Sequence, residues 1–151
     1  MSLIFPYRSL PTTISIPTLE NRWERPRPLI TVSIMNVSRT RVVQALLDTG
    51  ADGTVFPEIV AQDLGLDLSQ AETMQARGII GPPTQLWVAR VQLRLATSIN
   101  QVEWSAKVCF TNAPLRTPLL GFAGCLQYFT ATFFGDREEV ELTPNALLPL
   151  P

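Results

Sequence analysis

One short segment of the chain carries residue types that could do chemistry. It runs from Asp48 to Asp52, with the sequence Asp-Thr-Gly-Ala-Asp, directly after the apolar residues 45–47. Burying a charge is costly unless the charge is paired, and desolvation shifts the pKa of a carboxyl group. A carboxylate at the end of a buried strand is therefore a candidate acid or base. The same residues also fit an ordinary turn, with Asp48 as a cap and Gly50 at positive φ.

Composition narrows the chemistry that the chain could support. A length of 151 residues suits one domain with a real core. The net charge is -1 and there is no basic block, so nucleic-acid binding is not expected. The chain has no histidine, which excludes a Ser-His-Asp or Cys-His arrangement and histidine-ligated zinc. Carboxylate chemistry, lysine chemistry or a bound cofactor remain.

The cysteines and the apolar stretches indicate the compartment. Cys109 and Cys125 lie in apolar segments and form no CxxC pair. We predict that both are buried and reduced, which favours the cytoplasm, although the sequence leaves a disulfide between them open. The first ten residues do not have the pattern of a signal peptide, and no stretch is long enough to span a bilayer. A soluble protein without a membrane partner is expected.

The elements that must position Asp48 are predicted to be mostly strands. Thirteen prolines argue against a helical bundle. Apolar and polar residues alternate from Pro28 to Met35, and a second strand from Arg41 to Leu47 leads into Asp48. One short helix is predicted after Pro57 and ends at Gly65, and another carries Phe122, Leu126 and Phe129 on one face. Further strands are predicted at 54–56, 72–77, 86–95, 102–110, 129–134 and 140–142.

This pattern predicts an all-β fold, mainly β with two short helices, as a closed or partly closed β-barrel requires. Residues 1–27 are predicted to form a proline-rich N-terminal arm with one edge strand at Thr12 to Ile16. Residues 28–144 form the folded domain, and residues 145–151 form a C-terminal tail. Arg25 to Pro28 also fits a polyproline ligand, but a stiff entry into the next strand explains it better.

Three segments together resemble a known family. The run from Ala45 to Phe56 (ALLDTGADGTVF) resembles the active-site segment of retropepsin-like aspartic proteases, which include the retroviral proteases. A Leu-Leu-Gly sequence at 119–121 and a turn at 78–81 follow in the family's order. The resemblance implies a retropepsin-like acid-protease fold, peptide or protein substrates, and catalysis without a cofactor or metal.

The resemblance also implies roles for individual residues. Asp48 would be the catalytic carboxylate, Thr49 would hold the loops together across a dimer axis, and the Gly50 amide would support the carboxylate. An extended peptide would lie between these loops and a flap formed around residues 78–81. The residues implied in substrate binding are Ala51, Asp52, Gly78, Ile79, Ile80 and Gly81.

Carboxylate catalysis of peptide hydrolysis needs a second acid. Two carboxyl groups about 3 Å apart share one proton, and the ionised one activates a water while the other protonates the substrate. Asp52 lies on the same loop as Asp48, and no other aspartate precedes a Thr-Gly or Ser-Gly pair. One chain therefore supplies half a site. Two copies related by a two-fold axis would bring two Asp48 residues together, so a homodimer is predicted.

Other features leave alternatives open. Phe122 follows the Leu-Leu-Gly sequence where viral proteases carry an arginine, and the arm and tail differ from the viral termini. The chain could therefore be a catalytically inactive peptide-binding or assembly domain on the same fold. The aspartates at 48 and 52 partly resemble an EF-hand loop, but Gly50 and Ile59 stand where that loop needs oxygen ligands.

Overall fold

The computed structural model describes residues 1–77 and 81–151. In these ranges the chain forms twelve strands, one α-helix and two single-turn 3-10 helices, at Pro17–Leu19 and Leu126–Tyr128. The α-helix, α1, spans Glu58–Asp63. The strands are β1 (Leu3–Pro6), β2 (Arg8–Ile16), β3 (Arg22–Arg27), β4 (Leu29–Asn36), β5 (Arg39–Leu47), β6 (Val55–Pro57), β7 (Glu72–Ala76), β8 (Thr84–Ala96), β9 (Gln101–Thr111), β10 (Leu119–Leu120), β11 (Phe129–Phe134) and β12 (Glu139–Pro144).

The main sheet closes on itself. Its strands follow the order β4-β5-β10-β6-β9-β8-β7, and β4 also pairs with β8. Six strands therefore form a ring, and β7 extends outward from β8. The mainly β fold predicted from the sequence is confirmed.

Alternation along the strands builds the core inside this ring. Val32 and Ile34 on β4 and Leu93 on β8 are fully buried, while their neighbours face outward. Trp104 on β9 is the largest fully buried side chain, and its indole N–H donates to the carbonyl of Gly124 at 2.9 Å. This bond satisfies the only polar group of the tryptophan, so the ring can pack in the core without a desolvation penalty.

One of the two predicted helices is present in the structure and the other is not. The helix after Pro57 is confirmed as α1, with Val60 buried and Gly65 at φ 67° just beyond its end. The helix predicted to carry Phe122 and Phe129 on one face is wrong, because only a single 3-10 turn forms and Phe122 is 62% exposed. The backbone N–H groups of Phe122 and Ala123 donate hydrogen bonds to the loop that follows β5 instead. In the described residues, no helix has the length and apolar character needed to cross a membrane.

The N-terminal segment contains more structure than the single edge strand predicted at residues 12–16. β1 pairs with β12 in a three-stranded sheet of order β1-β12-β11, which we call the terminal sheet, and Leu3 and Phe5 pack into the core. β2 and β3 form a separate two-stranded ribbon. Most residues of this ribbon are exposed, which removes the alternation that would reveal its strands in the sequence.

The two cysteines are free and buried, as predicted. Burial raises the pKa of the Cys125 thiol to about 12 and also raises the pKa of Cys109. Only the thiolate is a good nucleophile. Both side chains are therefore protonated packing groups at neutral pH and do not offer cysteine chemistry.

Candidate active site

Asp48 lies directly beyond the end of β5, in a tight turn. Its backbone N–H donates to the carbonyl of Leu120 at 3.1 Å, and its carbonyl accepts the N–H of Ala51 at 3.2 Å. One carboxylate oxygen accepts the N–H of Gly50 at 2.9 Å. Asp48 therefore caps a turn as predicted, and the turn fixes one of its oxygens by a local hydrogen bond. The positive φ predicted for Gly50 is wrong, because the positive-φ glycines of the described chain are Gly65, Gly81 and Gly124.

Two residues from a distant part of the sequence hold both strands that flank this turn. In β10, Leu119 and Leu120 pair in parallel with Leu46 and Leu47 of β5. Leu119 also pairs antiparallel with Val55 of β6. β10 thus lies between the strand that enters the Asp48 loop and the strand that leaves it, so the ends of the loop cannot separate without breaking the sheet.

The segment after β10 interlocks with the Asp48 loop. The N–H of Phe122 donates to the carbonyl of Ala51 and the N–H of Ala123 to the carbonyl of Asp52, each at 2.9 Å. Thr54 completes the set, with its N–H donating to the carbonyl of Ala123 at 3.0 Å. These backbone bonds depend on close approach of two chain segments about 70 residues apart in sequence. They fix the backbone of the loop and leave its side chains free.

Gly121 makes this approach sterically feasible. A Cβ atom at this position would overlap the carbonyl oxygen of Gly53 and would lie 2.6 Å from that of Ala51. Both obstacles are backbone atoms of the interlocked loop and cannot rotate away. The sequence motif at 119–121 therefore ends in glycine because the Asp48 loop occupies the space of a side chain.

The loop is accessible where chemistry would need it. Asp48 and Ala51 are half-buried, whereas Thr49, Gly50 and Asp52 are exposed. Neither Asp48 nor Asp52 forms an ion pair within residues 1–77 and 81–151. Asp48 thus keeps one carboxylate oxygen without a protein hydrogen bond among these residues, available to a water, a substrate or a second carboxyl group.

Other aspartates of the same chain have partners of their own. Asp63 pairs with Arg41 at 3.3 Å, and Asp67 accepts the N–H of Ser69 at 2.9 Å. Hydrogen bonding from Ser69, through its side chain first and its backbone N–H second, lowers the pKa of Asp67. Neither residue is thus brought to Asp48 as the second acid of a dyad.

The predicted flap lies only partly within the described chain. Gly78, Ile79 and Ile80 fall outside the described residues. Gly81 is exposed with φ 107°, a conformation that favours glycine. β7 and β8 pair up to Ala76 and Thr84, which gives the base of the predicted hairpin.

A family model described as aspartyl protease matches residues 30–123, which span β4 to the interlocked segment after β10. The chain belongs to this aspartyl protease family.

The fold matches that of a solved structure. A retropepsin-like aspartic protease from Rickettsia conorii matches with a TM-score of 0.60 at 18% identity, over 94% of this chain and 98% of that one. The retropepsin-like fold is therefore confirmed. The EIAV protease complexed with the inhibitor HBY-793 matches with a TM-score of 0.36 at 21% identity, over 63% of this chain and 81% of that one. No curated protein matches the chain.

The sequence pattern did not reveal how the site is held. The Leu-Leu-Gly sequence is recognisable, but no local pattern predicts its insertion between β5 and β6 or the contacts of Ala123. A glycine directly after two apolar residues signals a close backbone approach, but it does not identify the approaching segment. For Thr54 the sequence likewise predicts only the start of a strand.

Thr54 provides a test of how well this interlock is packed. Its hydroxyl is buried and has no hydrogen-bond partner among the described residues. We expect Thr54→Val to raise the free energy of unfolding by about 1 kcal/mol, because an unsatisfied hydroxyl is replaced by a methyl group. Chemical denaturation measures this change.

Thr111 is the matched control for this substitution. It is also buried, but its hydroxyl donates to the carbonyl of Gln85 at 3.4 Å and accepts the N–H of Ala113 at 3.1 Å. Thr111→Val should therefore lower the free energy of unfolding by about 1 kcal/mol. A similar loss in Thr54→Val would contradict the absence of a partner and would indicate a bound water at Thr54.

Proposed function

We propose that the protein is an aspartic endopeptidase whose active site forms from Asp48 of two copies. The observation that carries this proposal is the fixed loop of Asp48, in which one carboxylate oxygen is held locally and the other has no protein partner within the described chain. Membership of the aspartyl protease family supports the same chemistry. In a two-fold dimer, the free oxygens of two such carboxylates would face each other.

The proposed reaction uses one shared proton. The ionised Asp48 removes a proton from a water molecule while the water oxygen bonds to the carbonyl carbon of the substrate peptide. The protonated Asp48 of the other copy donates its proton to the carbonyl oxygen, which gives a tetrahedral diol. The Asp48 that took the water proton then passes it to the amide nitrogen and the carbon–nitrogen bond breaks, while the other Asp48 takes a proton from one hydroxyl of the diol, which restores the starting dyad. The products are a carboxylic acid and an amine.

Neighbouring residues would bind the substrate and hold the dyad. Thr49 is exposed and is proposed to hydrogen-bond across the dimer axis, while the Gly50 amide keeps supporting its own carboxylate. Ala51 and Asp52 would line the cleft, and an extended peptide would bind there as an added strand. The flap at Gly78, Ile79, Ile80 and Gly81 would close over the peptide and exclude water.

One observation favours a second candidate, a binding domain without turnover. Phe122 is exposed beside the loop where the related viral enzymes carry an arginine, and Asp52 forms no ion pair in the described ranges. A peptide could then bind in the cleft without being aligned for attack. The two candidates differ in whether a bound peptide is cleaved.

A peptide library at mildly acidic pH distinguishes them. We expect cleavage within extended peptides, and we expect the activity per mole of chain to rise with protein concentration until the dimer is complete. Mass spectrometry of the products gives the cleaved bonds, and sedimentation at the same concentrations gives the dimer fraction. Binding without cleavage at every concentration would favour the second candidate. Full specific activity where only monomer exists would contradict the shared site.

A further inference from the structure

Phe122 combines an exposed side chain with a fixed backbone. It is the most exposed aromatic residue in the described part of the chain, at 62%. Its N–H donates to the carbonyl of Ala51 at 2.9 Å, and its own carbonyl accepts the N–H of Gln127 at 3.0 Å. These bonds keep the ring in solvent at a set place beside the Asp48 loop. An aromatic side chain on such a fixed backbone loses little freedom when it binds a partner.

Asp52 lies next to Phe122 across the interlock. Gly53 and Ala123 form a parallel bridge between the two segments, and Asp52 and Phe122 are the residues that precede them. The backbones of bridged segments lie about 5 Å apart, and successive side chains alternate between the two sides. Asp52 and Phe122 therefore project to the same side, with the carboxylate and the ring within reach of a single ligand group. We call these two residues the Asp52–Phe122 pair.

Both members of this pair favour a positive charge. Asp52 is exposed and forms no ion pair within residues 1–77 and 81–151. The bridge residues beside the pair are a glycine and an alanine, which bring no charge to it. The face of a phenyl ring is the negative part of its quadrupole, so it attracts a cation. A carboxylate beside such a face therefore selects an ammonium or guanidinium group over a neutral or acidic one.

Lysine and arginine side chains match the pair in shape as well as in charge. Their methylene stems pack on apolar surface while the charged group stays in water or meets a counter-charge. The planar guanidinium of arginine can also stack on the ring and bind both carboxylate oxygens. A glutamine side chain could donate a hydrogen bond to Asp52, but it carries no charge for the ring to attract. The ligand class that fits the pair is thus a basic side chain.

The position of the pair limits where on a substrate this basic residue can lie. The N–H of Ala51 donates to the carbonyl of Asp48 at 3.2 Å, and Asp52 is the next residue. Four residues span at most about 14 Å, and an extended peptide advances about 3.3 Å per residue. The basic residue therefore lies within about four residues of the bond held at Asp48. In a two-fold dimer the pair occurs twice, once on each side of that bond.

We propose that the Asp52–Phe122 pair is a subsite for a lysine or arginine side chain of the substrate, present on both sides of the cleaved bond. This inference rests on the proposed function, because it takes Asp52 as part of the cleft between two copies, and it names a class of substrate for that cleft. The protein then prefers peptides with a basic residue on either side of the cleavage site. Because the contact is exposed and electrostatic, the preference weakens as salt rises.

Cleavage of matched peptides tests the subsite. Each position within about four residues of the cleaved bond carries lysine, arginine, glutamine, norleucine or glutamate in turn, in an otherwise constant peptide. We expect kcat/KM to be about tenfold higher with lysine or arginine than with glutamine at one position on each side. Glutamate should be the poorest residue there, because Asp52 repels it. Equal values for basic and neutral residues at every position would overturn the proposal.

Substitutions in the pair should change this preference in a predictable direction. Asp52→Lys should make glutamate the preferred residue, and Asp52→Asn should bring lysine and glutamine to within about twofold of each other. Phe122→Arg places a guanidinium of the chain itself beside Asp52 and should have the same effect, whereas Phe122→Trp should keep the preference. Each variant is judged by the ratio of kcat/KM between peptides, so a general loss of activity does not imitate the result. An Asp52→Asn protein that keeps the tenfold preference would contradict the subsite.

Asp136→Asn and Phe133→Ala are the matched controls. Asp136 is exposed and forms no ion pair in the described ranges, and Phe133 is 39% exposed. Both belong to the hairpin of β11 and β12 rather than to the interlock, so they should keep the wild-type ratio. Sedimentation of Phe122→Arg accompanies the assay. A Phe122→Arg protein that keeps the preference but loses affinity for the second copy would show that Phe122 is a dimer contact, and would overturn the subsite.

Peptide binding separates this inference from the proposed function. Asp48→Asn protein is titrated with the same peptides under fluorescence polarisation, so the measurement needs no turnover. Binding about tenfold tighter for lysine and arginine peptides, lost when Asp52→Asn is added, would support the subsite even if the wild type cleaves nothing. If the wild type cleaves peptides without regard to basic residues, the subsite is wrong and the hydrolase remains. Binding that ignores basic residues, with no cleavage by the wild type, would contradict both.

Discussion

Replacement of Asp48 by asparagine should abolish peptide cleavage and leave the fold intact. Asparagine has nearly the same shape, and its side-chain oxygen can still accept the Gly50 N–H that closes the turn. It cannot take up or release the proton that the dyad shares. General acid–base catalysis contributes about 100- to 10,000-fold, so we expect the cleavage rate of Asp48→Asn to fall at least about 1,000-fold.

Asp67 supplies the control for this substitution. It makes the same kind of turn as Asp48, with its carboxylate accepting the N–H of the residue two positions along, Ser69, at 2.9 Å. Asp67→Asn should therefore keep wild-type cleavage. Circular dichroism and thermal melting of both variants establish that they fold. Residual cleavage by Asp48→Asn near the wild-type rate would contradict the role of Asp48, whatever the behaviour of Asp67→Asn.

Gly121→Ala should be the most damaging single substitution in the interlock. The added Cβ would overlap the carbonyl oxygen of Gly53 and would come within 2.6 Å of the Ala51 oxygen. The loops must then separate, which strains the hydrogen bonds from Phe122 and Ala123. We expect the free energy of unfolding to fall by about 3 kcal/mol or more. The variant should also lose cleavage at temperatures where it remains folded, because the Asp48 loop moves.

Gly53→Ala separates this steric effect from a general cost of removing glycine near the site. A Cβ at Gly53 meets nothing within 4 Å. The free energy of unfolding of Gly53→Ala should therefore stay within about 1 kcal/mol of the wild type. Denaturant titration of both variants measures the difference. Equal stability of Gly121→Ala and the wild type would contradict the close approach of the two loops.

The parts of the fold that the sequence predicted have one buried face and one exposed face. The sequence predicts β8 and the first part of β9 because buried residues alternate there with less buried, mostly polar ones. The ribbon of β2 and β3 is exposed on most of its surface, so no such alternation marks it. β10 has only two residues and is defined by its pairing with β5 and β6, which no local pattern reveals.

The candidate site likewise has a local part that the sequence predicts and a long-range part that it does not. Asp48 and its turn are local, and the sequence predicted the turn that the Gly50 hydrogen bond closes. The contacts of Gly121 and Ala123 with the loop join residues far apart in the chain and required the tertiary structure. The exposure of Phe122 follows from the same contacts, which is why the predicted helical face failed there.

The most direct test of the shared site is a subunit-mixing titration. Wild-type protein is held at a fixed concentration well above that needed for dimerisation, and Asp48→Asn protein is added up to tenfold excess. If each active site needs Asp48 from two copies, wild-type chains are drawn into mixed dimers and cleavage falls to roughly a tenth. An unrelated protein at the same concentration should have no effect. Cleavage that stays constant throughout the titration would show that each copy works alone and would contradict the shared dyad.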